Sequence, residues 1–181
     1  MSISVDPLYN SYGSVVKNLH VFYFTHELSL TGAPLLALDN VRTLVSIFGM
    51  RVTLITSVDG ILRSRFEELG VSVINLNLDI YNVNQNNFNL IKLKLENSIE
   101  MSKPSLLIAN TLLNFWVADI GIKFNIPTVW QIHESIAPHI FATSISDQIL
   151  KIVFHDSFTR FSKIVFQSKS TRIIFESRNI K

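Results

Sequence analysis

Three short polar clusters, each placed where an apolar run stops, hold the residues of this chain best suited to chemistry. The first is His26-Glu27-Leu28-Ser29-Leu30-Thr31-Gly32-Ala33-Pro34, the second Asn110-Thr111 and the third His133-Glu134-Ser135. Imidazole, amide, hydroxyl and carboxylate groups together match a ligand rich in hydroxyls. In the first cluster Gly32 permits close backbone approach or positive φ, and Pro34 suits the first position of a helix whose free N–H groups attract anions. Residues 26–34 are therefore a candidate phosphate- or sugar-facing loop, although the same residues also make an ordinary strand-to-helix turn. A lone histidine is often structural; what singles out His133 is its place directly after the apolar run 127–132.

Missing motifs narrow the chemistry. The six glycines form no Gly-x-Gly-x-x-Gly, and there is no Gly-x-x-x-x-Gly-Lys loop, no Gly-x-Ser-x-Gly elbow and no His-Glu-x-x-His helix. Usual nicotinamide, flavin, nucleoside-triphosphate, serine-hydrolase and zinc-protease sites are thus disfavoured. With no Asp-x-Asp pair and no cysteine, neither a metal-dependent GT-A glycosyltransferase nor Cys-ligated zinc is expected, and no site metal is assigned.

The elements that must position these clusters alternate along the chain. Strands are expected at 20–25, 51–56, 71–75, 105–109, 127–132 and 163–167, mostly as continuous apolar runs suited to a sheet covered on both faces. Between them lie helices over 34–48, a short one closed by Gly70, one from Phe88 to Pro104, and others over 112–124, 143–160 and 169–176, with an Asn-rich loop at 76–87. Alternation of this kind implies a Rossmann-like, doubly wound parallel sheet of about six strands in a three-layer α/β/α arrangement. The simplest order, 3-2-1-4-5-6, sets the loops after strands one, four and five side by side.

The 181 residues fit one domain, with 1–18 read as a flexible leader, and 48% hydrophobic content with 13 Phe supports a real core. A charged fraction of only 17% leaves two readings open, a large core or an apolar face that something else covers. A net charge of +2 without basic and aromatic interleaving argues against nucleic acid. Residues 1–19 lack a signal-peptide pattern, and no run approaches the ~20 apolar residues of a membrane span. A cytoplasmic protein is expected, with Arg63, Arg65, Lys92 and Lys94 offering peripheral contact with an anionic membrane face or simply a solvated one.

In order and spacing, His26-Glu-Leu-Ser-Leu-Thr-Gly-Ala-Pro-Leu35, Gly49-Met-Arg-Val-Thr-Leu-Ile55, Asp59-Gly60, Leu69-Gly-Val71, Ala109-Asn-Thr111, Ile126-Pro-Thr-Val-Trp-Gln-Ile-His-Glu-Ser135 and Val165-Phe-Gln-Ser-Lys-Ser-Thr171 resemble the retaining "group 1" GT-B glycosyltransferases. The resemblance covers about residues 20–178 and implies the N-terminal, acceptor-side domain of a two-domain enzyme. It implies that Thr31, Gly32 and Ala33 approach the donor phosphates and reacting sugar, and that His133 contacts the donor sugar. Asn110 and Thr111, with His26, Glu27 and Glu134, would face the acceptor; whether Glu134 reaches ligand or caps the next segment stays open. It further implies a nucleotide-sugar substrate with no cofactor, a carbohydrate or lipid-linked acceptor, and a role in polysaccharide biosynthesis. Donor-site glutamates and basic groups lie in the family's second domain, which 19–181 does not contain, so this chain alone is expected to be inactive. The alternatives are a stand-alone small-molecule-binding or interaction module and, ranked lower, a hydrolase or epimerase of nucleotide sugars.

Overall fold

The computed structural model describes residues 19–176; the leader expected at 1–18 lies outside these residues. Six strands, β1 (His20–Thr25), β2 (Arg51–Thr56), β3 (Ser72–Asn75), β4 (Leu106–Asn110), β5 (Thr128–Ile132) and β6 (Lys163–Phe166), form one sheet. All pairings are parallel and the order is β3-β2-β1-β4-β5-β6, as the alternation predicts. Seven helices link and follow them: α1 (Gly32–Ser46), α2 (Arg63–Glu67), α3 (Gln85–Ser102), α4 (Val117–Phe124), α5 (Pro138–Ser144), α6 (Gln148–Arg160) and α7 (Lys169–Glu176).

The strand period of two divides the core into two layers. From β1, Val21 and Tyr23 pack with Ala37, Leu38 and Val41 of α1 and Phe66 of α2, while Phe22 and Phe24 face the layer built by α3 to α7. The second layer absorbs most of the aromatic residues. Phe154 of α6 meets Phe115, Phe141 and Phe158 at ring-centroid distances of 5.4, 4.9 and 5.3 Å, and Phe161 stacks on Trp130 of β5 at 4.8 Å. These edge and stacked contacts bring large apolar areas together beneath the end of β5.

Three expected helices differ from those observed. The apolar spacing over 143–160 continues across a break at 145–147, because Asp147 accepts hydrogen bonds from the N–H groups of Ile149 and Leu150 and so starts α6 afresh. The segment expected as one helix at 112–124 begins instead with a 3-10 turn, Leu112–Asn114, before α4. The Asn-rich loop is shorter than its composition suggests, since Asn84 caps α3 by accepting from the Asn87 N–H. Gly70, Lys103 and Asn125 take left-handed conformations at helix ends, as the sequence anticipates for Gly70 and Asn125.

Among the described residues no helix is long and apolar enough to cross a membrane. Two of the four basic residues considered for lipid contact are engaged within the chain, Arg63 with Asp59 and Glu67, and Lys92 with Asp119. Gly60 fixes the loop after β1: a Cβ there would run into the backbone carbonyl of Leu28, whose oxygen accepts from the Leu62 N–H. Overpacking against backbone cannot be relieved by a rotamer change. Gly60→Ala is therefore expected to destabilise the fold by about 1–3 kcal/mol, read from chemical denaturation, and an unchanged midpoint would show that the loop yields.

Candidate active site

The parallel order brings the ends of β1, β4 and β5 together, and hydrogen bonds tie all three polar clusters into one wall. Asn110 Nδ2 donates to the carbonyl of Ala33 at 3.2 Å, joining the β4 end to the first turn of α1. That orientation leaves Asn110 Oδ1 as the acceptor for the His133 ring Nε2–H. Thr111 Oγ1 lies 3.4 Å from His26 Nδ1, and His26 Nε2 lies 3.5 Å from Glu27 Oε1. A carboxylate only accepts, so Nε2 carries the His26 proton and the Thr111 hydroxyl donates to Nδ1.

The loop after β1 is organised around Glu27. Ser29 and Thr31 hydroxyls donate to its Oε1 at 2.6 and 3.0 Å, and these bonds, led by Ser29, hold the carboxyl below its ordinary range. Thr31 and Gly32 are exposed and Ala33 half-buried, and Thr31 makes no side-chain cap at the start of α1. The helix begins at Gly32 rather than Pro34, and of the two uses open to Gly32 positive φ is not the one taken. No atom lies within 4 Å of the position a Cβ would take, which leaves open space beside the helix start for close backbone approach.

Thr111 departs furthest from ordinary geometry, with φ 76° and ψ 162°. That region is nearly restricted to glycine, and a β-branched residue there stores about 1–3 kcal/mol. The strained unit is buried and fully bonded: Thr111 N–H donates to the Gln131 carbonyl at 2.9 Å, and its carbonyl accepts from Trp130 Nε1–H at 2.7 Å. Beside it, Glu134 Oε1 accepts from Leu112 N–H at 2.9 Å and Oε2 from His133 N–H at 3.1 Å. Burial raises the Glu134 carboxyl, opposed by these N–H bonds. Glu134 thus caps the turn after β4, which precedes it in the chain, rather than the segment that follows.

A cleft of about 220 Å³ adjoins this wall, lined by His26, Glu27, Ser57, Asp79, Tyr81 and Leu113 among others. Ser57 follows β2 directly, whereas Asp79 and Tyr81 come from the loop after β3, several residues past the strand end. Burial, then the charges of Glu134, Asp79 and Glu27, push the Tyr81 phenol up. Among the described residues no three His, Asp or Glu side chains gather to hold a metal.

With that geometry in place, residues 17–179 match the sequence pattern of glycosyl-transferase family 4. The chain belongs to this family. Family-4 membership fits the structural neighbours, all too distant in sequence to show more than fold. HepE of Anabaena, solved with UDP and glucose, superposes with a TM-score of 0.66 at 16% identity, over 88% of this chain and 41% of its own. MnaA of S. aureus, solved with UDP, gives 0.59 at 10% identity over 90% and 42%. A putative UDP-N-acetylglucosamine 2-epimerase of Listeria monocytogenes gives 0.57 at 6% over 87% and 41%. The family-4 chain therefore spans well under half the length of these neighbours. Among curated proteins none matches it in sequence.

Burial lowers the pKa of His26 and His133, and of His20 at the other end of β1, below the ordinary 6.5. In the unfolded chain these imidazoles take protons near 6.5, while in the folded chain they resist. Their contribution to stability is present above that value and is lost as pH falls towards the folded pKa. Glu134, raised by burial, has the opposite sign. The thermal midpoint is expected to fall between about pH 7.5 and pH 5.5 and the slope to flatten in His26→Asn/His133→Asn; a midpoint that stays level would contradict the burial of these rings.

Proposed function

We propose that this family-4 domain is the N-terminal, acceptor-side half of a GT-B enzyme that moves a sugar from a nucleotide-sugar donor to an acceptor hydroxyl. The observation that carries this reading is the single wall formed by Ala33, Asn110, Thr111 and His133 at the carboxyl ends of β1, β4 and β5, the switch point of the sheet. HepE, a neighbour of the same fold, was solved with UDP and glucose, and this chain spans 41% of its length. We take the donor to be a UDP-sugar and the remaining half of the cleft to come from a second domain, so that this half does not turn over by itself.

In this arrangement the exposed first turn of α1, with Thr31, Gly32 and Ala33, faces the diphosphate, where unbonded N–H groups stabilise charge that grows on the leaving group. His133, oriented through Asn110, faces the donor sugar. The cleft bordered by His26, Glu27 and Tyr81 receives the acceptor, a carbohydrate or lipid-linked hydroxyl, and transfer retains the anomeric configuration. Catalysis rests on positioning and electrostatics and assigns no cofactor. Polysaccharide assembly at the cytoplasmic face of a membrane is the setting that accords with such an acceptor.

The likeness to the Listeria epimerase favours a second reading, epimerisation of the nucleotide sugar itself, within the same half-fold. Product analysis separates the two. In the full-length polypeptide supplied with UDP-glucose, His133→Ala is expected to lower UDP release by about 10²-fold with the fold intact. Unchanged turnover would remove His133 from the site, and an epimer in place of released UDP would replace transfer by epimerisation.

A further inference from the structure

The mechanism above leaves Glu134 without a part, although it is the most buried carboxylate of the site. Among the described residues it has no ion-pair partner; its two oxygens are met instead by two backbone N–H groups from different loops, Leu112 after β4 and His133 after β5. A carboxylate held only by main-chain donors acts as an internal anion, and removing its charge leaves buried donors unmet. One residue before Leu112 the chain passes through Thr111 at φ 76° and ψ 162°, a conformation its Cβ opposes. One residue before Glu134 stands His133, whose ring Nε2–H reaches Asn110 while Nδ1, buried, has no partner among the described residues.

We propose that Glu134 is a positioning residue: by clamping the Leu112 and His133 N–H groups together, its carboxylate holds Thr111 in a glycine-like backbone conformation and thereby fixes the ring of His133 against Asn110. The clamp needs two acceptors. Glutamine in its place would turn an NH₂ towards one of the two N–H groups, so charge and acceptor count are both required. The strain at Thr111 is what the clamp works against. If residue 111 lacked a Cβ, the same turn would form without being forced, and the carboxylate would matter less. This role rests on the site reading given above only in assigning His133 to the donor; the clamp itself is a property of the three loops.

The test is a double-mutant cycle on the full chain, with no sugar nucleotide present. The fall in thermal midpoint caused by Glu134→Gln is measured in three backgrounds: unaltered, Thr111→Gly and Thr111→Ala. Both replacements at 111 remove the hydroxyl, but only glycine removes the Cβ. The fall is expected to shrink by roughly half or more in the Thr111→Gly background and to persist in Thr111→Ala. In parallel, ¹⁵N shifts of the His133 imidazole should report a single Nε2–H tautomer in the unaltered chain, an averaged signal in Glu134→Gln, and recovery in Thr111→Gly/Glu134→Gln. Equal falls in the glycine and alanine backgrounds, or an imidazole signal indifferent to Glu134→Gln, would overturn the proposal. If Glu134→Gln does not fold, folding of the double variant with Thr111→Gly but not with Thr111→Ala supports the clamp, and failure of both overturns it. Because no donor or acceptor is used, a negative result here is distinct from loss of the transferase reading, which turns on UDP release.

Discussion

The parallel pairing of β1 with β4 is the constraint on which the rest of this structure depends. Its register, from Val21 opposite Leu106 to Phe24 opposite Ala109, makes the two strands end together, so that His26 and Thr111 emerge within hydrogen-bonding reach although 85 residues separate them. A parallel neighbour cannot be reached by a hairpin, so the chain must leave through α1 to α3 and return before this pair can form. The contacts that join the loop after β1 to the end of β4, Asn110 to Ala33 and Thr111 to His26, are consequences of that return. A slip of one residue would turn Asn110 away from Ala33 and send the inward face of β4 to the opposite layer.

Much of this was readable from residue types alone. The apolar runs gave all six strand starts within one residue, with β1, β2 and β6 beginning where expected, and alternation with helices fixed the strand order through the handedness of crossovers. The convergence of His26, Asn110 and His133 followed from that order. What the sequence does not announce are features that depend on long-range partners. The conformation of Thr111 has no local signature, since threonine is a poor choice for it; it exists because Trp130, Gln131 and Glu134 surround it. The share of Asp79 and Tyr81 in the cleft could not be read, because they lie in a loop of alternating polar and apolar residues several positions past the end of β3.

The misjudged helices share a physical reason. Periodicity records which face is buried, and that face continues across a break when both segments pack on the same layer, as α5 and α6 do through Phe141 and Phe154. Caps are the better signal at such places. Asp147 before Ile149 and Leu150, and Asn84 three residues before Asn87, were both visible as side chains able to close an N-terminus. Gly32 is the converse case: its residue type suggested positive φ that the backbone does not adopt, whereas Gly60, unremarked as a packing position, is the glycine that the loop after β1 cannot spare.

The two tryptophans are unequal in a way that gives the protein an optical handle of its own. Both are sealed from solvent, but the Trp116 indole N–H has no partner among the described residues, whereas that of Trp130 is bonded to the Thr111 carbonyl. Indole emission responds to hydrogen bonding at this nitrogen, so the Trp130 signal is coupled to the turn after β4. Rearrangement of that turn becomes visible as a colour change in an unlabelled molecule, with the stacked Phe161 ring holding the reporter in place.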